Sequence, residues 1–572
     1  MKKLCVFVAA ASFLAMGVSG SPAYAQLEQQ TIIADPGRAE EQFQQELLIP
    51  QGGPDIGIQD LELKGAPAGA ENIKFKFGGL QIDGASAYTT EQLSSLYKGK
   101  IGTEISLADL YAIAHEMTLK YRNDGYLLTQ VVVPPQTIEN GIARLQIVEG
   151  FVDNVIIQTD EGEGSFLVDT IRSYASYVNA GGALNVKDME RGLLLINDLP
   201  GVKARSILSP SKTTPGGADM LIIVERDPYD ALITADDFGS RYLGPVQFGA
   251  AGSANSWLGL GEAVTGQVVV APDGGHELAY GALSYEQPIG PWGTKIKAFG
   301  SLTDTDPGYD LRQFEVRGHS STMGIQVEHP FVRSRAFNLA GRAVLDWRNV
   351  KSSNNAELTR KDHIRAARVG AKVDFLDTLL GVAVNAFDVE LSQGLDIMGA
   401  SDEGDANLTR AAGDPKFTKL KVQAQRLQRI VEDVNLFLAG SGQWADGPLL
   451  SAEEFAVGGI NSVRGFDPSE IVGDHGVSGK AELQWNNPGK FDMEYIDKYQ
   501  LFGFFDAGRT WDEDATTSSA KHDTLTATGG GLRVSFSGAT EAGLVVAFPL
   551  NRDVQTQNDQ DPKVYFNLSK SF

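Results

Sequence analysis

Apolar and polar positions alternate along Val477 to Trp485. Val477, Gly479, Ala481, Leu483 and Trp485 fall on one side of an extended chain, and Ser478, Lys480, Glu482 and Gln484 on the other. A strand with lipid on one face and water on the other requires this period of two, with an aromatic residue near one end. Short strands of this kind recur from about residue 228 to Phe572, among them "AVTGQVVVAP", "GALSYEQPIG", "TMGIQVEHPF" and "VNLFLAGSGQW", punctuated by Pro, Gly, Asn and Asp. At roughly 21 residues per strand and connection, residues 228–572 accommodate about 16 strands. Polar inserts such as "MGASDEGDANLTRAAGDPK" read as surface loops, and short links such as "QPIGPWG" as periplasmic turns. The chain closes on "VYFNLSKSF", whose Val564, Phe566, Leu568 and Phe572 share one face. Phe566, Leu568 and Phe572 read as an outer-membrane barrel C-terminal signal, with Lys570 able to snorkel from the apolar face.

Upstream the pattern is different. Residues 73–226 hold an internal repeat, "LKYRNDGYLLTQVVVPPQTIENGIARLQIVEG" followed by "LLLINDLPGVKARSILSPSKTTPGGADMLIIVER". Each copy runs through a helical stretch, an Asn-Asp turn (Asn123-Asp124, Asn197-Asp198), a strand, a Gly/Pro hairpin and a strand ending Ile-Val-Glu. Helical spacing carries Leu107, Leu110, Ile113, Ala114, Met117 and Tyr121 in the first copy, and Met189, Leu193 and Ile196 in the second. With a strand ahead of each helical region, the repeat predicts two small α+β modules. Residues 26–72 are polar. There Asp35 and Pro36 open a short helix whose apolar stripe, Ala39, Phe43 and Leu47, is thin enough to suit a polar dock rather than a core. Gln51 to Gly69 reads as a flexible linker.

The N-terminus has the form of a secretory signal. Lys2 and Lys3 precede an apolar run from Leu4 to Val18, too short to span a bilayer, and Ala23-Tyr24-Ala25 is a cleavage site. The one cysteine, Cys5, lies inside that segment, so disulfides, thiol nucleophiles and Cys-based metal sites are excluded from the processed chain. A net charge of −24 argues against nucleic acid as a partner. The seven histidines lack HExxH spacing, no G-x-S-x-G occurs, and Gly529 to Gly531 sit in a strand pattern rather than a phosphate loop. The acidic runs at Asp402 to Asp405 and Asp512 to Asp514 lack calcium-loop spacing. No catalytic residue, cofactor or metal is expected.

One stretch stands out within the strand-rich region. Arg464 in "INSVRGF" sits beside Gly465, and a guanidinium taken out of water requires anionic partners. Two lie downstream: Glu482 on the polar face of its strand, and Asp506 in "FGFFDAGRTW" on the face shared with Phe504 and Gly508. The residues alone leave open an exposed turn with an incidental charge.

Val463-Arg464-Gly465-Phe466 and Phe504-x-Asp506-x-Gly508 resemble the paired signature motifs of the outer-membrane insertases and translocators, and the repeat resembles their polypeptide-transport-associated (POTRA) modules. Two modules, the "DPGRAEEQ" helix and the segments "NDGYLLTQVVVPPQ", "LNDLPGV", "DDFGSRYLGPVQFG" and "YEQPIGPWG" resemble the two-partner secretion transporters (TpsB type, the hemolysin-activation and hemagglutinin-export branch). This resemblance implies a mixed fold: two POTRA modules followed by a 16-stranded transmembrane antiparallel barrel. An N-terminal helix would plug its pore, and an inward sixth extracellular loop would carry Arg464 to Asp506 and Glu482.

The expected division is signal peptide 1–25, plug helix and linker 26–72, POTRA 1 73–149, POTRA 2 150–227 and barrel 228–572. The expected function is translocation of an unfolded secreted exoprotein, an adhesin, a cytolysin or similar, from periplasm to cell surface without nucleotide hydrolysis. Capture is expected by strand addition at edges such as Leu127 to Val133 or Val155 to Ile157. The expected location is the outer membrane with the modules in the periplasm, with its lipids and, during biogenesis, the barrel assembly machinery as further partners. An assembly factor inserting other barrels shares the motifs but is expected to carry more modules; a passive porin leaves the repeat and the arginine without a role.

Overall fold

Ser106 opens the longest helix among the described residues. Its Oγ accepts the Asp109 N–H (3.1 Å) while Asp109 Oδ2 accepts the Ser106 N–H (2.9 Å), closing a capping box ahead of α-helical spacing. The chain is described here from a computed structural model over residues 34–43, 56–57, 65–159, 165–179, 182–214, 216–272, 276–355, 360–488, 495–514 and 521–572. The predicted signal, with Ala23 and Ala25, lies outside these residues, as do Leu47 and most of the predicted linker.

A short helix, α1 (Pro36–Phe43), and a two-residue strand, β1 (Ile56–Gly57), come first. The first module then contains β2 (Lys74–Lys76), β3 (Gly79–Asp83), α2 (Thr90–Ser94), β4 (Glu104–Ser106), α3 (Leu107–Asn123), β5 (Gln130–Val132) and β6 (Ile142–Val148). The second contains β7 (Phe151–Gln158), α4 (Phe166–Ala175), α5 (Val186–Asn197), β8 (Val202–Pro210) and β9 (Gly217–Arg226). Their sheets run β3-β6-β5 and β1-β8-β9-β7. Leu110, Ile113, Ala114, Met117 and Tyr121 bury against the first sheet, and Met189, Leu193 and Ile196 against the second, as the helical spacing predicts. Each module carries two helices where the pattern predicts one. The additional α2 is only five residues long, and α4 is set by the Ser165 cap, whose Oγ accepts the Val168 N–H (3.2 Å). α2 is too short to show an apolar period, but Leu167, Ile171 and Tyr174 of α4 do recur at helical spacing.

The strand-rich region closes into a sixteen-stranded antiparallel barrel. Its first half comprises β10 (Tyr229–Asp236), β11 (Gln247–Asn255), β12 (Ala263–Ala271), β13 (Leu278–Ile289), β14 (Thr294–Thr305), β15 (Arg317–Arg333), β16 (Phe337–Ser353) and β17 (Arg360–Asp377). It continues through β18 (Ala383–Gly394), β19 (Thr418–Val431) and β20 (Val434–Ala445). After two short strands of an intervening loop, β21 (Phe455–Val457) and β22 (Ile471–Gly473), it ends with β23 (His475–Pro488), β24 (Ile496–Trp511), β25 (His522–Phe536), β26 (Thr540–Pro549) and β27 (Lys563–Ser571). β27 pairs with β10, Asp236 opposite Asn567, and leaves no open edge. The alternation holds on each side of the wall: Val477, Leu483, Trp485, Leu501 and Phe505 face outward, while Glu482 and Asp506 are buried within. Val564, Phe566 and Leu568 also face outward on β27, and Phe572 is exposed at its end. Lys570 is the first charged residue on that face of β27, and its Nζ lies 5.1 Å from the Phe572 ring.

Repeat divergence shows in the two Ile-Val-Glu strand ends. Glu225 makes a surface pair with Arg205 (3.6 Å). Glu149 instead accepts the N–H groups of Ser86 (2.8 Å) and Ala87 (3.0 Å), the Tyr121 hydroxyl (2.9 Å) and the Ser86 hydroxyl. Burial opposes its ionisation, yet these donors outweigh that and hold the carboxyl below its ordinary pKa of 4.5. A carboxyl depressed on folding stabilises the fold fully above its unfolded pKa, and the contribution is lost as pH falls through the folded value. Glu149→Gln is expected to destabilise the first module by about 1–3 kcal/mol at neutral pH, read as faster amide exchange over residues 84–149 of the full chain. The difference from the native chain is expected to shrink below pH 4.5.

Candidate functional site: an inward loop and a helix in the barrel lumen

The connection between β20 and β23, residues 446–474, turns into the barrel, its β21–β22 hairpin standing against the wall. Between those two strands Arg464 is 4% exposed. Its Nε and Nη2 donate to Asp506 Oδ2 (2.7 Å) and Oδ1 (2.8 Å), its Nη1 to Glu482 Oε2 (2.8 Å), and its own amide to Asp506 Oδ2 (3.2 Å). Asp506 thus holds the guanidinium fork in two parallel bonds, the arrangement that fixes orientation as well as charge. The Phe504 ring lies beneath the guanidinium, 3.5 Å from Cζ to the ring centroid.

The remaining motif positions make room for this contact. A Cβ on Gly508 would meet Val457 Cγ1 at 2.5 Å and Val463 Cγ2 at 3.3 Å, so only glycine lets the hairpin reach the wall. Gly465 takes φ 92°, and its N–H donates to the Tyr565 hydroxyl (3.0 Å), which donates to the Phe466 carbonyl (3.2 Å). Val463 and Phe466 bury in an apolar cluster with Phe455, Val457, Ile471 and Leu525. The glycines of β25 serve the same geometry: a Cβ on Gly529 would meet the Phe504 ring, and one on Gly531 the Phe502 ring.

The structure therefore brings together Val463, Arg464, Gly465, Phe466, Glu482, Phe504, Asp506 and Gly508. Phe566, Leu568 and Phe572 lie apart, on the outer surface. Sequence reasoning missed Arg533, whose Nη1 donates to Glu482 Oε1 (2.7 Å) over the Phe502 ring, and Lys480, which donates to the Ile460 carbonyl (3.0 Å). Both lie on inward faces of their strands, a signal that alternation could have supplied.

A second group of contacts surrounds α1. Asp35 Oδ1 accepts the Gly37 N–H (2.8 Å) and starts the helix. Arg38, 2% exposed, donates to the Ser451 carbonyl (2.7 Å) and pairs with Glu454, which also meets Arg410 (3.0 Å). Glu40 accepts the hydroxyls of Ser301 and Thr322 on the wall. Ala39 packs with Tyr242, Leu243 and Leu311, and the Phe43 ring lies 4.9 Å from that of Tyr280. Adjacent Glu453 is gripped by Arg368 (2.9 Å) and Lys419. Asn461, in the same inward loop as Arg464, donates to the Gln42 carbonyl (3.4 Å).

Removing Arg464 would strip the buried Asp506 carboxylate of its guanidinium and leave Glu482 its pair with Arg533. Arg464→Ala is expected to cost the loop about 3–5 kcal/mol, seen as accelerated amide exchange over residues 455–473. The barrel ladder should retain its native heat-modifiable migration on gels.

Among known proteins, the family described as haemolysin secretion/activation protein ShlB/FhaC/HecB matches residues 220–534, and the ShlB-type POTRA domain matches residues 75–150. The heme/hemopexin transporter protein HuxB of Haemophilus influenzae is 23% identical over 510 residues, covering 88% of each chain. The outer membrane transporter CdiB of Escherichia coli is 23% identical over 493 residues, covering 84% of this chain and 81% of its own. The solved structure of CdiB from Escherichia coli superposes with a TM-score of 0.72 at 20% identity, over 96% of this chain and 98% of that one, and shows the same fold. Barrel, modules and family match agree, and the chain belongs to the ShlB/FhaC/HecB family of haemolysin secretion/activation proteins.

Proposed function

We propose that this chain is a two-partner secretion pore of the outer membrane, which takes an unfolded exoprotein from the periplasm and passes it to the cell surface. The observation that carries the reading is a closed barrel whose lumen holds a short helix and an inward loop, both held by ion pairs, instead of a packed core. The relatives named above are transporters. On this reading residues 1–25 are a signal cleaved after Ala25, with Ala23 and Ala25 as its recognition residues. Residues 26–72 are plug and linker, 73–149 and 150–227 the two capture modules, and 228–572 the pore. Phe566, Leu568 and Phe572 are the signal read by the barrel assembly machinery.

Capture is by strand addition, and the two edges expected from sequence are not equivalent. β5 is terminal in its sheet, but its central amide, Val131 N–H, already donates to Thr118 Oγ1 on α3 (3.0 Å). β7 is also terminal, is eight residues long, and exposes Ile156 at its centre, which favours Val155 to Ile157 as the docking edge. The partner displaces α1, threads the polar lumen, and folds outside; that folding supplies the driving force. Val463 to Phe466 with Glu482, Phe504, Asp506 and Gly508 act as a structural and gating lock on the inward loop.

Two measurements test this reading. Arg464→Ala is expected to abolish release of the exoprotein into the medium while the barrel still inserts; undiminished release would sink the lock. Deleting residues 30–50 is expected to raise single-channel conductance in planar bilayers, and unchanged conductance would count against a plug.

A further inference from the structure

The Asn-Asp turn that ends the long helix of each repeat does more than reverse the chain. In the first module, α3 ends at Asn123 with Asp124 as its cap, and the turn meets the next module. The Gly125 carbonyl accepts the Val186 N–H (2.8 Å), and the Asp124 carbonyl accepts Asn185 Nδ2 (3.5 Å). Both donors lie at the start of α5. In the second module, α5 ends at Asn197 with Asp198 as its cap, and the equivalent turn meets the barrel. Here the two residues divide the work. Asn197 stays within its module, Oδ1 accepting the Ala204 N–H (2.9 Å) and Nδ2 donating to the Leu193 carbonyl (2.8 Å). Asp198 points out of it: its two carboxylate oxygens accept Arg333 Nε (2.7 Å) and Nη2 (2.7 Å), and its carbonyl accepts Lys295 Nζ (3.0 Å).

An aspartate at a helix C-terminus is unfavourable within its own module, because the last carbonyls already carry partial negative charge. The compensating cations, Arg333 at the end of β15 and Lys295 at the start of β14, both belong to the barrel. The acidic cap is therefore satisfied in the docked arrangement. Neighbouring contacts are subordinate but point the same way. Glu190 accepts the Arg335 N–H (2.6 Å), and Arg191 donates to the Pro330 (3.1 Å) and Phe331 (3.2 Å) carbonyls. Leu195 fills the space over Gly293, where a Cβ would lie 2.5 Å from Leu195 Cδ2. Arg333 also donates to Asn338 Oδ1 (3.0 Å), a contact within the barrel that orients the fork.

We infer that Asp198 is a positioning residue: through the Arg333 fork it sets the orientation of the second module over the barrel entrance, and the Asp124 turn is its counterpart one module upstream. The functional half of this inference, that export needs this fixed orientation, rests on the secretion reading given above.

The orientation can be measured without any exoprotein. Spin labels at Arg205→Cys on the second module and Leu379→Cys on a barrel turn, in a Cys5→Ser background, report the module-to-barrel distance by pulsed electron resonance. Both sites are exposed. The native pairing is expected to give one narrow distance peak. Asp198→Asn and Arg333→Ala are expected to spread it, while Asp198→Glu, which keeps the carboxylate, restores most of the narrow peak. Heat-modifiable migration confirms an intact barrel in every variant. An unchanged peak in Asp198→Asn and Arg333→Ala would overturn the joint. A spread peak with undiminished exoprotein release would overturn the positioning role while leaving the secretion reading intact. Release that falls with Asp198→Asn and recovers with Asp198→Glu, in step with the distance peak, is the outcome expected.

Discussion

A guanidinium enclosed by protein is tolerable only when its donors are matched by fixed acceptors. Arg464 meets that condition with Asp506 on one side, Glu482 on another and the Phe504 ring beneath. The loop that delivers it is 29 residues from 446 to 474, long enough that nothing in its connectivity obliges it to turn inward. Electrostatic pairing with the wall supplies the obligation. Glycines at 508, 529 and 531 then follow as requirements of shape, because any side chain there would occupy the space of Val457 or of the two phenylalanine rings.

The same loop also seats the plug. Its early part offers the Ser451 carbonyl and Glu454 to Arg38, and Asn461, three residues before Arg464, reaches the Gln42 carbonyl. Lock and plug are thus two contacts of one segment. The contacts of α1 are mainly charged and hydroxylic, with Ala39 and Phe43 as its apolar anchors, and contacts of that kind can be replaced by water. An apolar core helix could not leave at comparable cost.

Glu454 adds a third participant, since Arg410, from the loop between β18 and β19, shares its carboxylate with Arg38. Arg410 reaches on to Asp474 and Asp514. The helix in the lumen is therefore connected by ion pairs to loops at the outer end of the barrel, as the second module is connected to the inner end through Asp198 and Arg333.

Period-two alternation in "VSGKAELQW" determined by itself that Glu482 faces inward, because successive side chains of a strand point to opposite faces. Helical spacing likewise placed Leu110 to Tyr121 and Met189 to Ile196 in the module cores, whereas for Arg464 the residues offered Glu482 and Asp506 as candidates and the motif resemblance chose between that pairing and an exposed turn. These are local rules, or residue types with few uses. Of the two helices the pattern reading missed, α2 is too short to show a period, whereas α4 carries one in Leu167, Ile171 and Tyr174 that could have been read. Only the tertiary structure decided that Arg533 joins Arg464 on Glu482, that Arg38 and Arg410 divide Glu454, and that Asp198 crosses to Arg333. Each of these pairs links residues far apart in the chain. A charge in a sequence states a need for a partner without stating its address; barrel closure and module docking supply the address.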